Sequence, residues 1–157
     1  MRNNLPENVR LEIRDLQLPL YNEDEDGPAA PGEVLSLRQA IAGSDGVVIV
    51  TPEYNHGMPG VLKNALDWAS RPFGRSVLID KPVLVISVSP AFTGGVRAQA
   101  QVNETLLSIP ARVIGGPQVV IGGIAGKTRD GVLFDEASLN FASAALRRMV
   151  TTVFQSS

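Results

Sequence analysis

The 157-residue chain contains no cysteine. Without a thiol it can form neither a disulfide nor a zinc or iron–sulfur site with Cys ligands. His56 is the only histidine, which also excludes a metal centre built from several imidazoles. We therefore expect no metal site in this protein.

Long hydrophobic runs and an excess of charge of one sign are also lacking. The apolar run at residues 46–50 is far shorter than the roughly 20 residues that a membrane-spanning helix needs, and no signal-like segment opens the chain. A net charge of −2 gives no electrostatic footprint for nucleic acid. We expect a cytoplasmic protein that binds neither nucleic acid nor membrane.

Strand-like and helix-like patterns alternate along the chain. The predicted strands are residues 9–14, 47–50, 82–87 and 119–121, and the predicted helices are residues 33–42, 59–69, 96–107 and 136–153. The first strand alternates apolar and polar residues, which predicts one buried face. The next two are continuous and rich in β-branched residues, which predicts burial on both faces in a parallel sheet. The alternation predicts one domain, residues 1–157, folded as a three-layer α/β/α sandwich.

The connection between the first predicted strand and the first predicted helix carries four consecutive acids, at residues 23–26. Packed against one another these side chains would repel. We therefore expect a solvated loop at this position.

Two loops follow the predicted buried strands. Residues 51–60 place a carboxylate, an aromatic ring and an amide (Glu53, Tyr54 and Asn55) between two prolines, and residues 88–95 place hydroxyls and glycines before a helix N-terminus. Ligands of open α/β sheets bind at the carboxyl ends of the strands, and helix N-termini favour electronegative atoms. The loops thus predict a planar aromatic ligand with polar edges, held between Tyr54 and backbone donors.

Residues 51–68, TPEYNHGMPGVLKNALDW, resemble the signature of the NADPH-dependent FMN reductase family, which includes chromate, quinone and azo-dye reductases. Residues 15–24 and 89–99 are similar to two further parts of that family, so the resemblance covers nearly the whole chain. It implies a flavodoxin-like fold and an FMN-dependent NAD(P)H oxidoreductase. Such an enzyme passes hydride from nicotinamide to flavin and on to a small acceptor such as flavin, a quinone, an azo compound or a metal oxyanion. The resemblance also implies a homodimer or homotetramer.

Eight residues match the flavin contacts of that family by position. Those expected along the flavin ring and its ribityl chain are Pro52, Glu53, Tyr54 and Asn55. Those expected at the pyrimidine edge are Ser89, Thr93, Gly94 and Gly95. Because the flavin itself carries the hydride chemistry, we assign no catalytic side chain.

The helix after residue 59 can be interpreted in two ways. Family members use this helix in subunit contacts, which would place Asn64, Asp67 and Trp68 at an interface. Alternatively, Trp68 covers the core of its own domain.

The family's chain begins earlier than this sequence, with a strand, a phosphate-binding loop and a first helix. Met1 aligns with the last turns of that helix, so we expect the first strand and most of the first helix to be missing and the domain to be incomplete at its N-terminus. A displaced start site or a piece of a longer protein explains this better than a shortened protein that rearranges its sheet. If the chain is as short as the sequence given, FMN binding should be weakened.

Two other classes of function fit the same pattern. One is a non-enzymatic electron carrier, although such carriers are usually strongly acidic and this chain has a net charge of only −2. The other is a module of the same fold that binds flavin weakly or not at all.

Overall fold

The computed structural model describes residues 9–155. Four α-helices are α1 (Gly32–Ala42), α2 (Gly60–Ala69), α3 (Val96–Ser108) and α4 (Glu136–Phe154). Six strands are β1 (Val47–Thr51), β2 (Pro82–Val88), β3 (Arg112–Val113), β4 (Val119–Ile121), β5 (Thr128–Arg129) and β6 (Val132–Leu133). Short 3₁₀ helices lie at Glu23–Glu25 and Ile124–Gly126.

Strand β2 lies at the centre of a parallel sheet. Its register with β1 runs from Val47 beside Val83 to Thr51 beside Ser87. On its other edge β3 pairs with the start of β2 and β4 pairs with its end, so β3 and β4 are two halves of one interrupted strand. The predicted burial of residues 82–87 is confirmed.

Alternate side chains of β2 enter two different cores. Val83 and Val85 pack in one cluster with residues of α2 and α3. Leu84 and Ile86 pack in a second cluster with residues of α4, including Leu146. Helices therefore cover both faces of the sheet, which confirms the predicted three-layer sandwich.

All four predicted helices are present, with bounds within two residues of those expected. Gly43, of a residue type that commonly ends helices, follows α1 directly, and its N–H donates to the Gln39 carbonyl at 2.9 Å. The two-residue strands β3, β5 and β6 were not predicted, because pieces this short carry no readable period.

The predicted strand at residues 9–14 is wrong. These residues have no regular secondary structure, and within residues 9–155 no strand pairs with the outer edge of β1. Ile13 is 72% exposed although its alternating pattern predicted a buried face. A two-residue period becomes a strand only where a neighbouring backbone accepts its hydrogen bonds, and the described residues supply none here.

The predicted burial of residues 47–50 on both faces is also wrong. Val47, Val48 and Ile49 are only partly buried, and Val50 is 54% exposed. As the edge strand of the described sheet, β1 is covered less completely than β2. The continuous apolar sequence of β1 therefore did not distinguish an edge strand from a central strand.

Trp68 belongs to the core. Its side chain is fully buried, its ring packs edge-to-face with Tyr21 at a centroid distance of 4.8 Å, and its Nε1–H donates to the Pro19 carbonyl at 2.8 Å. The core interpretation of Trp68 is confirmed, and the interface interpretation of this residue is wrong. The segment before α1 is thereby fastened to α2.

The predicted solvated loop is wrong for one of its four acids. Asp26 accepts a hydrogen bond from buried Arg38 at 2.7 Å, and the same guanidinium donates twice to the Trp68 carbonyl, at 3.0 and 2.8 Å. Desolvation raises the pKa of Asp26, but the bonds from Arg38 and the Gly27 N–H, with the charges of Arg38 and Arg71, outweigh it and leave the pKa lowered. Asp26 is partly buried because its carboxylate neutralises buried Arg38, and the run of four acids alone does not indicate that partner.

We expect Asp26→Asn to lower the free energy of unfolding at neutral pH by about 1–2 kcal/mol, because a charge-assisted bond to buried Arg38 is lost. The pKa of Asp26 is lowered on folding, so its contribution is complete above the unfolded pKa and disappears as pH falls through the folded one. Urea unfolding should therefore show a difference in the free energy of unfolding between wild type and Asp26→Asn that disappears on acidification below about pH 4. Asp24→Asn, on an exposed neighbour, is the control; a difference independent of pH would contradict the account.

Candidate functional site

The loop after β1 closes into a tight two-residue turn. Tyr54 and Gly57 exchange two backbone hydrogen bonds, of 2.9 and 3.0 Å. Between them Asn55 and His56 both have positive φ, +50° and +66°, as a type I′ turn requires. The turn leaves the side chain of Tyr54 63% exposed, at the carboxyl end of the sheet.

Helix α3 holds this turn in place from the side. Gln101 accepts a hydrogen bond from the Met58 N–H at 2.9 Å. A Cβ on Gly57 would lie 2.7 Å from Gln101 Oε1, so a larger residue here would require the Gln101 side chain to shift. Sequence reasoning missed Gln101, since no local spacing links it to a loop 43 residues away.

Glu53 joins the same loop to the N-terminus of α3. One carboxylate oxygen accepts from the Arg97 and Ala98 N–H groups at 3.0 and 3.4 Å, and the other accepts from the Arg97 guanidinium at 3.3 Å. His56 Nδ1 lies 3.8 Å from Glu53 Oε1. Glu53 thus caps the helix and offsets its positive end.

The pKa of Glu53 reflects this position. Desolvation raises it, but the Arg97 and Ala98 N–H groups and the Arg97 guanidinium lower it more, so the pKa stays below its usual value. The carboxylate is therefore charged at neutral pH. Because it occupies these two N–H groups, the N-terminus of α3 is not open to a ligand in the way its sequence predicted.

The loop after β2 is tightly bound to β4. Ser89 donates its N–H to the Ile121 carbonyl at 3.0 Å and accepts from the Ile124 N–H at 3.1 Å, while its hydroxyl accepts from the Ala91 N–H at 3.1 Å. These bonds seat the loop on the end of β4. The Ser89 side chain is therefore committed to the loop itself.

Two glycines complete this loop. Gly94 has φ +63°, and a Cβ there would lie 2.4 Å from Val120 Cγ1. Gly95 has φ +85°, and a Cβ there would lie 3.2 Å from the Cβ of Ser87. Both positions need a residue that lacks a side chain, which brings the loop backbone down onto the strand ends.

The eight predicted residues divide into two kinds. The Tyr54 hydroxyl, the Asn55 amide and the Thr93 hydroxyl make no side-chain hydrogen bond within residues 9–155. Glu53 and Ser89 instead bond to their own chain. The structure thus brings the predicted residues to one edge of the sheet but leaves only part of them free for a ligand.

The comparisons with known proteins agree with this geometry. Residues 6–126 match the family model described as NADPH-dependent FMN reductase. The chain belongs to this family. Membership makes it an NAD(P)H-dependent oxidoreductase with FMN as its cofactor.

Individual relatives support the assignment. The chain is 38% identical over 149 residues to a quinone reductase of Pseudomonas putida, a match that spans 94% of this chain and 80% of that protein. It is 38% identical over 132 residues to a quinone reductase of Escherichia coli, spanning 82% of this chain and 70% of that protein. The solved structure of FerB, a flavoenzyme NAD(P)H:(acceptor) oxidoreductase from Paracoccus denitrificans, matches with a TM-score of 0.85 and 32% identity, over 98% of this chain and 85% of that one. This last match confirms the flavodoxin-like fold.

Two other kinds of feature are absent from the described residues. Within residues 9–155 no three His, Cys, Asp or Glu side chains are grouped to hold a metal ion. In that range too, no helix has the length and apolar character needed to cross a membrane.

We expect Gly94→Ala to lower the free energy of unfolding by more than 2 kcal/mol, because it adds a clash with Val120 to the cost of a left-handed alanine. Gly123→Ala is a matched control. Gly123 has the same φ of +63° but nothing within 4 Å of the added Cβ. The Gly123→Ala substitution should therefore lower the free energy of unfolding by only about 1 kcal/mol. Equal losses in urea unfolding of the two variants would contradict the tight seating of this loop.

Proposed function

We propose that the two loops bind FMN. The residues of this site are Pro52, Glu53, Tyr54, Asn55, Ser89, Thr93, Gly94 and Gly95. The observation that carries the proposal is the exposed ring of Tyr54, in the loop that follows β1, where β1 and β2 end side by side at Thr51 and Ser87. A flat heterocycle with carbonyl and imino edges suits an aromatic ring, an amide and a hydroxyl.

The proposed residues have different tasks. Tyr54, Asn55 and Thr93 contact the flavin directly, and the backbone at Gly94 and Gly95 approaches its edge. Glu53 and Ser89 position their loops, since their side-chain oxygens already accept hydrogen bonds within the chain. Pro52 fixes the backbone that leads from β1 into the turn.

When bound, FMN would supply the hydride acceptor and donor of the reaction. The chain's own part is to bind and orient it and to leave one side of the site open to NAD(P)H and then to the second substrate. We propose a quinone as that second substrate, because the bacterial relatives described above are named quinone reductases. Flavin, azo compounds and metal oxyanions are the alternatives to be compared in the same assay.

We further propose a single cytoplasmic domain, residues 1–157, that assembles as a homodimer or homotetramer. Phe73 and Phe92 are 89% and 93% exposed, and a subunit contact that buried these rings would remove their apolar surface from water. Light scattering coupled to size-exclusion chromatography measures the assembly directly. A mass of one chain would contradict this part of the proposal.

FMN titration of the purified chain, followed by quenching of flavin fluorescence, tests the site. We expect saturable binding, and we expect Tyr54→Ala to raise the Kd about tenfold through loss of the ring contact. Asn55→Gly should also weaken binding, whereas His56→Gly should not. This pair is matched because both positions have positive φ, which glycine accepts.

The outcomes separate the alternatives. Weakening by Asn55→Gly alone supports the site, and equal effects of both glycine variants would show that only turn geometry matters. No binding by the chain would favour a module that lacks flavin. Binding without oxidation of NADPH or NADH would favour an electron carrier.

Steady-state kinetics test the shared open side of the site. If NAD(P)H and the quinone occupy the same place beside Tyr54, the first product must leave before the quinone enters. Plots of reciprocal rate against reciprocal NAD(P)H concentration, measured at several fixed quinone concentrations, should then give parallel lines. Intersecting lines would contradict the shared place.

A further inference from the structure

The third position of the sheet is interrupted between β3 and β4. Residues 114–118 join the two short strands; Ile114 still donates its N–H to the Val83 carbonyl at 2.9 Å, and the pairing with β2 resumes only at Val119. The centre of β2, around Leu84 and Val85, therefore has no strand beside it on this edge.

A buried side chain fills part of the gap. Gln99 of α3, 1% exposed, donates its amide N–H groups to the carbonyls of Val85 at 2.9 Å and Val119 at 3.3 Å. It thus bonds to a carbonyl of β2 beside the interruption and to a carbonyl at the start of β4. With its amide nitrogen occupied, its Oε1 remains as an acceptor.

Three buried polar atoms converge on this gap without a partner among residues 9–155. They are Gln99 Oε1, Asn103 Oδ1 and Arg148 Nε. All three side chains line one cavity of about 30 Å³ beside Leu84 and Val85. Burying such groups unpaired costs about 1–3 kcal/mol each, so their convergence calls for a ligand.

We propose that this cavity holds one ordered water molecule. A water can donate to the two oxygens, of Gln99 and Asn103, and accept from the Arg148 N–H, which satisfies all three atoms at once. The volume suits a single water, and three polar partners are the usual number for a buried one. The guanidinium disfavours a cation here, and the two acceptor oxygens disfavour an anion.

The position gives this water a structural task. Gln99 and Asn103 lie on α3, whereas Arg148 lies on α4. These helices pack on opposite faces of the sheet, so the water would join the two outer layers through the gap between β3 and β4. It would also hold the helix whose N-terminus Glu53 caps.

A high-resolution crystal structure of the chain tests the site directly. We expect a density peak within hydrogen-bond distance of all three atoms. A closed cavity in which Arg148 bonds to Asn103 without an intermediate would overturn the proposal, as would a cavity without density.

Thermal unfolding of two variants gives an independent test. Asn103→Leu should lower the Tm by about 5 °C, because it displaces the water and leaves Gln99 Oε1 and Arg148 Nε unpaired. Helix propensity alone predicts the opposite sign, since leucine is the better helix former. Asn103→Asp retains an acceptor and should keep the wild-type Tm or exceed it.

Glu104→Leu, on the exposed neighbour in α3, controls for the change in propensity and should not lower the Tm. If Asn103→Leu proves as stable as Glu104→Leu, the proposal is wrong. A loss for Asn103→Leu that Asn103→Asp does not share supports it.

Discussion

The register between β1 and β2 is the constraint on which the site depends. It sets Thr51 beside Ser87, so the two loops leave the sheet at the same height. Only then can the Glu53 carboxylate, two residues beyond β1, reach the N–H groups of Arg97 and Ala98 at the start of α3. A one-residue slip would turn every side chain of β1 to the other face and separate the two loops.

Much of the fold could be predicted from the sequence because its elements have strong periods. The four helices and the central strand β2 follow from local patterns and stop signals such as Gly43. What failed depends on neighbours: residues 9–14 alternate like a strand but have no pairing partner in the described sheet, and β1 is apolar like a central strand but lies at an edge. Pairing and coverage are properties of the assembled sheet, which a local period does not encode.

The positions of the two candidate loops were predictable to a similar extent. Residue types and the family resemblance located both loops, and the structure brings them to one edge of the sheet. The sequence did not distinguish side chains that hold the loop from side chains left without a hydrogen bond within residues 9–155, since Glu53 and Asn55 are both polar residues of one loop. That distinction depends on contacts with α3, whose partners Arg97 and Gln101 are more than 40 residues away in sequence.

The turn at Asn55 and His56 has a consequence for chemistry beyond the natural amino acids. Both residues adopt positive φ, the half of conformational space that mirror-image amino acids prefer. A D-asparagine or D-histidine introduced here by semisynthesis would meet its own favoured backbone, whereas the same residue in β2 would disrupt the sheet. The turn at Asn55 and His56 can thus accept D-amino acids while the rest of the protein consists of L-amino acids.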